Sequence, residues 1–383
     1  MVSMKVYIKG VGMTKFGVDR KSSHERICEV IGECLKSTDM NFDDIDVIFA
    51  SNSESERNEE RQKHQGPMLS TLFQREMPIL NVPAGCAGGG VALWNSINYL
   101  RSSDCKNIMV IGYDNIVSLT SEIITDEILM GSERICEQTE GLNFPAQNAL
   151  VAQQYMMKYG ATSDDLALIA LKNHENAFDN PKAMFYKKKV TLDMIKKSPV
   201  VASPLRLFDC SISVNGAAAA IISKDPGNIE IIGSGMCTTS LSPIERKDMT
   251  SMSSTIKAAK TAYEQAGIKP EDLDIAELHD AFTPLELLSY EDLGFAKKGH
   301  GAELIRDGTT KINGSLPVNT SGGLKAKGHP VSATGVSQIY EIVRQMRGRC
   351  DKRQLDRTRT GLAHNVGGAG STVTVHILKN LGG

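Results

Sequence analysis

The stretch Lys5-Val-Tyr-Ile-Lys-Gly-Val-Gly-Met13 predicts a strand followed by a glycine turn, and Ile229-Glu-Ile-Ile-Gly-Ser-Gly-Met236 repeats it. An amphipathic helix follows each copy, at Ser23 to Ser37 and at Ser253 to Ala266, because apolar residues recur there at helical spacing. Similarity between two distant parts of one chain is typical of a duplicated structural unit. The sequence therefore predicts two related halves.

Further segments of the two halves match in the same order. Acidic turns lead into a strand in each half, and small-residue turns lead from the next strand into a helix. The matched segments are strands near Asp43 to Ile48 and Glu271 to Ala276, strands at Ile79 to Val82 and Leu316 to Asn319, helices at Val91 to Leu100 and Val336 to Met346, and closing strands near Asn107 to Gly112 and Ser371 to Leu378. Alternating strands and helices imply mainly parallel sheets covered on both faces. We therefore expect an α/β protein whose two halves form five layers, αβαβα.

The two predicted domains are an N-terminal half, residues 1–225, and a C-terminal half, residues 226–383. The stretch from about 118 to 205 has no counterpart in the second half, so we expect an inserted loop domain with a helix at Gln147 to Lys158. Ligands of open α/β sheets bind beyond the carboxyl ends of the strands. Residues directly after the matched strands are therefore the candidates for a functional site.

Composition and charge narrow the possible functions. The chain has 383 residues, 41% of them hydrophobic, and a formal net charge of −2 at pH 7, which gives no general attraction to nucleic acid or to an anionic membrane. The longest apolar run, around Gly216 to Ile222, is far shorter than the roughly 20 residues of a membrane-spanning helix. Lys5 and Lys9 interrupt the N-terminal apolar stretch, which therefore does not resemble a signal peptide. Eight cysteines without a C-x-x-C pair favour a reducing cytoplasm and indicate no metal site or disulfide framework.

One cysteine stands in a context that favours reactivity. In Asn81-Val-Pro-Ala-Gly-Cys-Ala-Gly-Gly-Gly90, Cys86 follows a predicted strand and opens a predicted helix. Backbone N–H groups and the helix dipole at that position stabilise a thiolate, which is the nucleophilic form of cysteine. A free cysteine is more often a small buried apolar residue, and we take that view of the other seven. Cys86 is the candidate nucleophile.

Three histidines lie in loops of the second half. His329 stands between Gly328 and Pro330 before a helix, at a site that the repeat relates to the Cys86 loop, so it is the candidate partner that accepts the cysteine proton. His279 and His364 each come at the end of a predicted strand. Structural alternatives, a helix cap for His279 and a packed turn for His364, stay open. The glycine-rich run after His364 would also present backbone N–H groups to an oxyanion.

These loops together resemble the thiolase superfamily, in particular the branch of the sterol-carrier-protein thiolases with its bacterial and archaeal members. The resemblance extends over nearly the whole chain. Its motifs are the Cys86 loop, Leu207-Phe-Asp-Cys-Ser-Ile-Ser-Val-Asn-Gly-Ala-Ala-Ala219, the His-Asp-Ala-Phe of 279–282, the Ser-Gly-Gly and Gly-His-Pro of 321–330, and the His-Asn and Gly-Gly-Ala-Gly of 364–370. The resemblance implies the duplicated five-layered thiolase fold and acyl transfer between coenzyme A thioesters.

The resemblance also implies a role for each matched residue. Cys86 would accept the acyl group, and His329 would activate it. His279 would bind the thioester oxygen, and the backbone N–H groups of Cys86 and Val366 would form a second oxyanion hole. The proton of the second substrate would be removed by His364, with His279 as the next choice. Coenzyme A is expected to contact Ser321 and Gly322, and its phosphates to meet the positive charges of Lys325, Lys327 and Arg206; a solvated basic face is the alternative for each lysine.

The implied reaction forms or cleaves acetoacetyl-CoA or another 3-oxoacyl-CoA, with acetyl-CoA and acyl-CoA as substrates and no cofactor. The implied partners are a second or further copies of the chain, in a homodimer or tetramer. A complex with a zinc-ribbon/OB-fold protein and a 3-hydroxy-3-methylglutaryl-CoA synthase is the further implied assembly, through which the product would feed 3-hydroxy-3-methylglutaryl-CoA synthesis. No nucleic acid or membrane partner is expected.

Departures from the family pattern keep two alternatives open. Conventional thiolases carry a second cysteine at the position that corresponds to His364. Sterol-carrier-type thiolases carry it at the position that corresponds to Ala281. A thiolase-fold aldolase acting on a β-hydroxyacyl-CoA is one alternative, although its relatives usually lack the nucleophilic cysteine. A non-catalytic acyl-CoA-binding scaffold is the other. The turns Gly10-Val-Gly12 and Gly233-Ser-Gly235 lack the third glycine of a dinucleotide fingerprint, so we do not expect NAD.

Overall fold

The computed structural model describes residues 4–53, 62–118 and 121–382. Its strands are β1 (Tyr7–Met13), β2 (Val47–Ser51), β3 (Ile79–Asn81), β4 (Asn107–Asp114), β5 (Val200–Ala202), β6 (Leu205–Arg206), β7 (Gly216–Ser223), β8 (Ile229–Thr238), β9 (Ile275–Glu277), β10 (Thr360–Gly367) and β11 (Thr372–Asn380). Its helices are α1 (Ser23–Lys36), α2 (Gln65–Phe73), α3 (Gly88–Ser102), α4 (Ser121–Leu129), α5 (Phe144–Tyr159), α6 (Ser163–Phe178), α7 (Leu192–Lys197), α8 (Ser253–Ala266), α9 (Thr283–Asp292), α10 (Gly301–Arg306) and α11 (Thr334–Met346).

Local signals set the ends of the two outer helices. Ser22 and Glu25 form a capping box in which each side chain accepts from the other residue's backbone N–H, and α1 begins there. The last residue of α8 is followed by Gly267 in the left-handed conformation, whose N–H donates to Tyr263 O. Both helices lie where the apolar spacing predicted them, at 23–37 and 253–266.

The strands of the two halves have the same order in the sheet. The complete order is β3-β2-β4-β7-β1-β8-β11-β10-β9, and the halves meet where Tyr7 of β1 pairs with Glu230 of β8. The segment predicted as a strand at 316–319 contributes a single parallel bridge, between Val318 and Ala276 of β9. It occupies the edge position that β3 has in the first half. The duplication that the sequence predicted is therefore present in the strand order.

One predicted correspondence between the halves is wrong. The sequence matched the strand near Asn107 to Gly112 with the strand near Ser371 to Leu378, but β4 has the position of β10, and β7 has that of β11. The insertion causes the error, because residues 115–215 separate β4 from β7, whereas a tight turn joins β10 to β11. The longest apolar run of the chain is β7, every residue of which is buried.

Three layers of helices alternate with the two half-sheets, which gives five layers. α3 and α11 pack against each other and against strands of both halves, so they form the central layer. α1 packs on β1 and β7 outside the first half-sheet, and α8 packs on β8 and β11 outside the second. Buried side chains of α11, including Val336, Ile339 and Val343, join the apolar core of the first half. The predicted α/β thiolase fold with layers αβαβα is confirmed.

The insertion supplies helices α4 to α7 and the small β5–β6 sheet. α5 confirms the helix predicted at 147–158, and α6 packs against α9 and against residues 323–327 of the second half. The division of the chain into domains 1–225 and 226–383 stays a prediction. Within the described ranges, no helix is both long and apolar enough to cross a membrane.

Candidate active site

A cysteine and a histidine from opposite halves meet where the two central helices begin. Cys86 lies in the turn Gly85–Ala87 that leads into α3, and His329 lies in the loop that leads into α11. The distance from Cys86 Sγ to His329 Nε2 is 3.4 Å. Cys86 is half-buried, and the imidazole is 7% exposed. The structure thus brings together the two residues that the sequence predicted as nucleophile and base.

Glycines allow this close approach of the two helices. A Cβ atom on Gly89 would lie 2.6 Å from the carbonyl oxygen of Ser332, and one on Gly335 would lie 2.3 Å from the backbone nitrogen of Gly90. Any side chain at these positions would force the helix starts apart. The glycine run after Cys86 therefore sets the distance between the thiol and the imidazole, because it lets the backbones touch.

The His329 loop is fixed by contacts on both sides of the ring. Nδ1 lies 2.7 Å from Thr334 Oγ1, and the backbone N–H of His329 donates to Ile212 O at 2.9 Å. Asp114, at the end of β4, accepts a hydrogen bond from the N–H of Ser332 at 2.5 Å, which ties the loop to the first half. Burial, with a smaller effect of the nearby Lys327 charge, lowers the pKa of His329 to about 3. The ring is therefore neutral at physiological pH.

Asn365 links the cysteine turn to His279. Its Nδ2 donates to Cys86 O at 2.9 Å and lies 3.3 Å from His279 Nδ1, while its Oδ1 accepts from the N–H of Gly90 at 3.1 Å. The two backbone contacts fix the amide orientation, so His279 Nδ1 accepts and the proton of the neutral ring is on Nε2. His279 Nε2 is buried and has no hydrogen-bond partner among the described residues. The ring centroids of His279 and His329 are 5.3 Å apart.

Burial lowers the pKa of His279 well below its ordinary value, with further lowering by the neighbouring rings of His329 and His364. A neutral His279 that carries its proton on Nε2 is a buried hydrogen-bond donor without an acceptor among the described residues, and its ring lies beside that of His329. Asn365 directly follows His364, and no sequence motif by itself distinguishes it as a site residue. The alternation of side chains along a strand would have identified it, had the face of the strand been known.

His364 does not face the cysteine. It lies inside β10, where its Nε2 is 3.0 Å from Oγ1 of Thr255 on the outer helix α8. Adjacent residues of a strand point to opposite faces, so Asn365 faces the central layer and His364 faces the outer one. The ring is fully buried, and burial lowers its pKa to about 3. The predicted base for the second substrate is therefore on the wrong side of the sheet.

The predicted oxyanion hole involves the last two residues of β10. Val366 is buried within β10 and pairs with Val373 of β11. The next residue, Gly367, packs on the cysteine turn, and a Cβ there would lie 3.0 Å from the Cβ of Ala87. Backbone of the glycine run therefore adjoins the turn that contains Cys86. The role of the Val366 N–H stays a prediction.

Both lysines predicted to contact coenzyme A lie in the protein interior. Lys325 and Lys327 are each 1% exposed. Lys325 Nζ donates to Asp209 O at 2.7 Å, and Lys327 Nζ donates to Ser337 Oγ at 3.1 Å. Burial lowers the pKa of each amine, and the nearby carboxylates oppose the effect. Phosphate groups cannot reach these amines, so this prediction is wrong for both residues.

The remaining predicted substrate contacts are also engaged within the protein. Ser321 is fully buried, and its Oγ donates to Glu277 Oε2 at 2.5 Å. Gly322 has φ 101°, and a Cβ there would lie 2.6 Å from that of Ala177, so the position needs glycine for both reasons. Arg206 is partly exposed, and its Nη1 donates to Ser198 O at 2.7 Å. Ser321 and Gly322 therefore hold loops in the interior, whereas the contact of the partly exposed Arg206 with coenzyme A stays a prediction.

Two buried carboxylates brace the histidine loops. Asp280 accepts from the N–H of Leu324 at 2.6 Å and from Asn173 Nδ2 at 2.8 Å, and burial raises its pKa to about 6. Asp114, which holds the loop after His329, also has its pKa raised to about 6 by burial. Among the residues that the structure describes, no group of three or more His, Cys, Asp or Glu is placed to hold a metal ion.

We expect the buried histidines to reduce stability in mild acid. Burial lowers the pKa of His364 to about 3 and that of His376 to about 4. A group whose folded-state pKa is lowered stabilises the fold above its unfolded pKa, about 6.5 for histidine, and loses that contribution as pH falls towards the folded value. Asp114 and Asp280 have the opposite effect on stability. Because their folded-state pKa values are raised to about 6, the folded chain takes up protons before the unfolded chain does, which increases stability as pH falls through about 6.

A single variant measures the contribution of His364 to the pH dependence of stability. His364→Gln should reduce the dependence of unfolding free energy on pH between pH 6 and 4 by about one proton, or about 1.4 kcal/mol per pH unit. Urea denaturation at a series of pH values, followed by tryptophan fluorescence, measures this slope. Equal slopes for the variant and the original chain would contradict a neutral buried His364.

This fold and this contact between cysteine and histidine define the class of the thiolase-fold acyltransferases. Residues 6–220 match the family model described as thiolase, N-terminal domain, and residues 235–380 match the model described as thiolase C-terminal domain-like. The chain belongs to the thiolase family, as its motifs predicted. It is an acyltransferase of that family.

Relatives of known function cover almost the whole chain. An acetyl-CoA acetyltransferase of Methanothermobacter thermautotrophicus is 35% identical over 382 residues, which is 98% of this chain and 99% of that protein. Sterol carrier protein 2 of Bos taurus is 28% identical over 396 residues, which is 96% of this chain and 71% of that protein. Among solved structures, one described as Ltp2-ChsH2(DUF35) aldolase superposes with a TM-score of 0.85 at 24% identity and covers 100% of this chain and 99% of that chain. The last likeness concerns the fold alone.

Proposed function

We propose that this chain transfers acyl groups between coenzyme A thioesters through an acyl-cysteine on Cys86, and so forms or cleaves acetoacetyl-CoA or a related 3-oxoacyl-CoA. The 3.4 Å distance from Cys86 Sγ to His329 Nε2, at the start of a central helix, is the observation that carries this proposal. The 35% identical archaeal acetyltransferase supports acetyl-CoA as a substrate.

In the first step, His329 accepts the proton of Cys86. With Nδ1–H donated to Thr334 Oγ1, Nε2 carries the lone pair that faces the thiol. The thiolate attacks the thioester carbonyl carbon, and the C–S bond to coenzyme A breaks as the tetrahedral intermediate collapses. The departing thiolate takes the proton from His329. The enzyme then carries an acyl group on sulfur, and His329 is neutral again.

In the second step, His329 removes the α-proton of acetyl-CoA, and the carbanion attacks the acyl carbon. The acyl group is bonded to Sγ, so the α-carbon that attacks it approaches the same Nε2 atom. The new C–C bond forms as the C–S bond to Cys86 breaks, and the cysteine sulfur recovers the proton. His279, with its proton on Nε2, donates a hydrogen bond to the thioester oxygen, where negative charge develops.

Two variants of His279 distinguish a role as hydrogen-bond donor from a role as base. His279→Asn keeps an N–H donor, so we expect its turnover to stay within about tenfold of the original, whereas His279→Ala should lose about 10²–10³-fold, as for the loss of one oxyanion donor. Steady-state thiolysis of acetoacetyl-CoA measures both. His364→Gln serves as the matched control and should change turnover by less than about threefold, because the ring faces α8.

Measurements on the same variants could also contradict these roles of His279 and His364. Equal loss in His279→Asn and His279→Ala would indicate that the ring acts as a base. A large loss in His364→Gln, with unchanged thermal stability, would restore the base that the sequence predicted.

Assembly and location are part of the same proposal. We place the enzyme in the cytoplasm as a homodimer or tetramer, in a complex with a zinc-ribbon/OB-fold protein and a 3-hydroxy-3-methylglutaryl-CoA synthase that consumes its product. Support for a partner protein comes from the DUF35 component named for the aldolase of similar fold. Mass spectrometry of proteins that co-purify with the chain from its native cell, at low salt, tests the assembly. Recovery of the chain without either partner would contradict it.

A further inference from the structure

A cleft of about 510 Å³ lies at the far end of α11 from the cysteine and histidine. It is bordered by β1 and the end of α1 from the first half, and by the starts or ends of β8, α11 and β11 from the second. α11 has 13 residues, which at 1.5 Å per residue separates its two ends by about 20 Å. The cleft is therefore distinct from the candidate active site, and binding of a ligand there does not depend on the proposed function.

The cleft is rich in positive charge. Lys9, Arg347 and Arg349 line it, with Asp39 as the carboxylate of its wall. An adjoining cleft of about 180 Å³ shares the two arginines and adds Lys36, Arg344 and Glu33 to the lining. The whole chain has a formal net charge of only −2, so this excess of cations is local.

Carboxylates do not neutralise these arginines. Among the described residues, no salt bridge joins Arg344, Arg347 or Arg349 to an acidic side chain. Glu33 is engaged elsewhere, by Lys182 at 2.6 Å and by the hydroxyl of Tyr340 at 3.0 Å. Among the described lining residues of the two clefts, five cationic side chains therefore face two carboxylates, those of Asp39 and Glu33.

The environment of Arg347 shows that this arrangement is energetically unfavourable. It is half-buried, and its Nη1 and Nη2 donate to the carbonyl oxygens of Ser37 at 3.4 Å and Lys9 at 2.7 Å. Burial, together with the neighbouring charges of Arg349 and Arg344, lowers its pKa. Like charges held together without an acidic partner raise the energy of the folded state, and an anion between them removes that repulsion.

We propose that this cleft binds a small anion with two or more phosphate groups, of the class of nucleoside diphosphates and pyrophosphate. Guanidinium groups match phosphate oxygens in a bidentate geometry, and a volume of about 510 Å³ lies in the range of small-molecule sites. Both halves contribute to its walls, so a bound anion connects them next to the β1–β8 junction. The ligand therefore stabilises the folded chain against thermal unfolding.

Titration calorimetry with ADP and with inorganic pyrophosphate tests the site on the full chain. Arg349 is exposed, so Arg349→Glu should fold normally and should weaken binding of both probes at least tenfold, with a smaller loss in Arg349→Gln. Lys260→Glu makes the same change of charge on the exposed side of α8 and should leave binding unchanged. Affinity should fall as KCl is raised. Turnover of Arg349→Glu should equal that of the original chain.

The two probes distinguish the source of affinity, and both results support the site. Equal affinity identifies the phosphates as the recognised group, and tighter binding of ADP shows that the nucleoside also fills the cleft. Three outcomes overturn the proposal. They are no binding of either probe at millimolar concentration, equal losses in Arg349→Glu and Lys260→Glu, and inhibition by ADP that is competitive with acetyl-CoA and insensitive to Arg349→Glu. The arginines would then only complement the negative end of α11.

Discussion

Cys86→Ala is expected to lower the rate of acyl exchange between acetyl-CoA and coenzyme A by about 10⁴-fold or more, because no other group at the site can carry the acyl intermediate. Isotope exchange measures the rate. Mass spectrometry after incubation with acetyl-CoA should show one acetyl group on the peptide that contains Cys86, and none in the variant. The size of the effect reflects removal of the atom to which the acyl group is bonded.

The chain offers a matched control in Cys28, an exposed thiol on the outer helix α1. Cys28→Ala should keep both the exchange rate and the adduct. Exchange at the original rate in Cys86→Ala, or an adduct on another cysteine, would contradict the acyl-cysteine mechanism. The absence of any adduct in the original chain would favour the aldolase or the scaffold alternative.

His329→Asn should lower kcat/KM for thiolysis by about 10²–10⁴-fold, the usual contribution of a positioned general base. The pH dependence should change in a defined direction. Burial and the nearby Lys327 charge lower the pKa of His329 to about 3, so the Nε2 lone pair is free throughout the physiological range but the isolated ring is a weak base. Proton transfer therefore depends on the ion pair that the imidazolium forms with the Cys86 thiolate, which stabilises both charges. Alkylation of Cys86 by iodoacetamide should therefore persist to lower pH in the original chain than in the variant, where the thiol ionises unaided.

Thr334→Val is the companion variant for this measurement. It keeps both reacting atoms and removes the Oγ1 that lies 2.7 Å from His329 Nδ1, so we expect an intermediate loss of about tenfold. Melting temperatures of both variants should be compared, since His329 is buried. The base assignment fails if His329→Asn alkylates with the same rate and pH dependence as the original chain.

Some residues of the candidate site could be predicted from the sequence, and others could not. Cys86 and His329 could be predicted because each stands at a helix start that local sequence defines, among glycines that leave no room for side chains. Asn365 and His364 could not be distinguished, because they are neighbours in one strand and their faces depend on the position of β10 between β9 and β11. A shift of one residue exchanges the two faces of a strand.

The positive charge of Lys325 and Lys327 led to a wrong prediction about their environment. Lys325 and Lys327 have the composition of a phosphate-binding surface, yet each is 1% exposed. Their partners come from distant segments, Asp209 through its carbonyl oxygen for Lys325 and the nearby carboxylate of Glu277 for Lys327. Burial of a charged group requires such partners, and single-chain patterns do not show which distant groups meet.

The duplication, the α/β class, the five layers and the meeting of Cys86 with His329 could all be predicted from the sequence, because they depend on periodicity, glycine positions and helix starts that are local properties of the chain. Three features became clear only in the folded chain: which strands correspond between the halves, that Asn365 and not His364 faces the Cys86 turn, and that Lys325 and Lys327 are interior. Those outcomes depend on the sheet order and on contacts between residues far apart in the chain, where the free energy of burial is set by the partners that folding brings together.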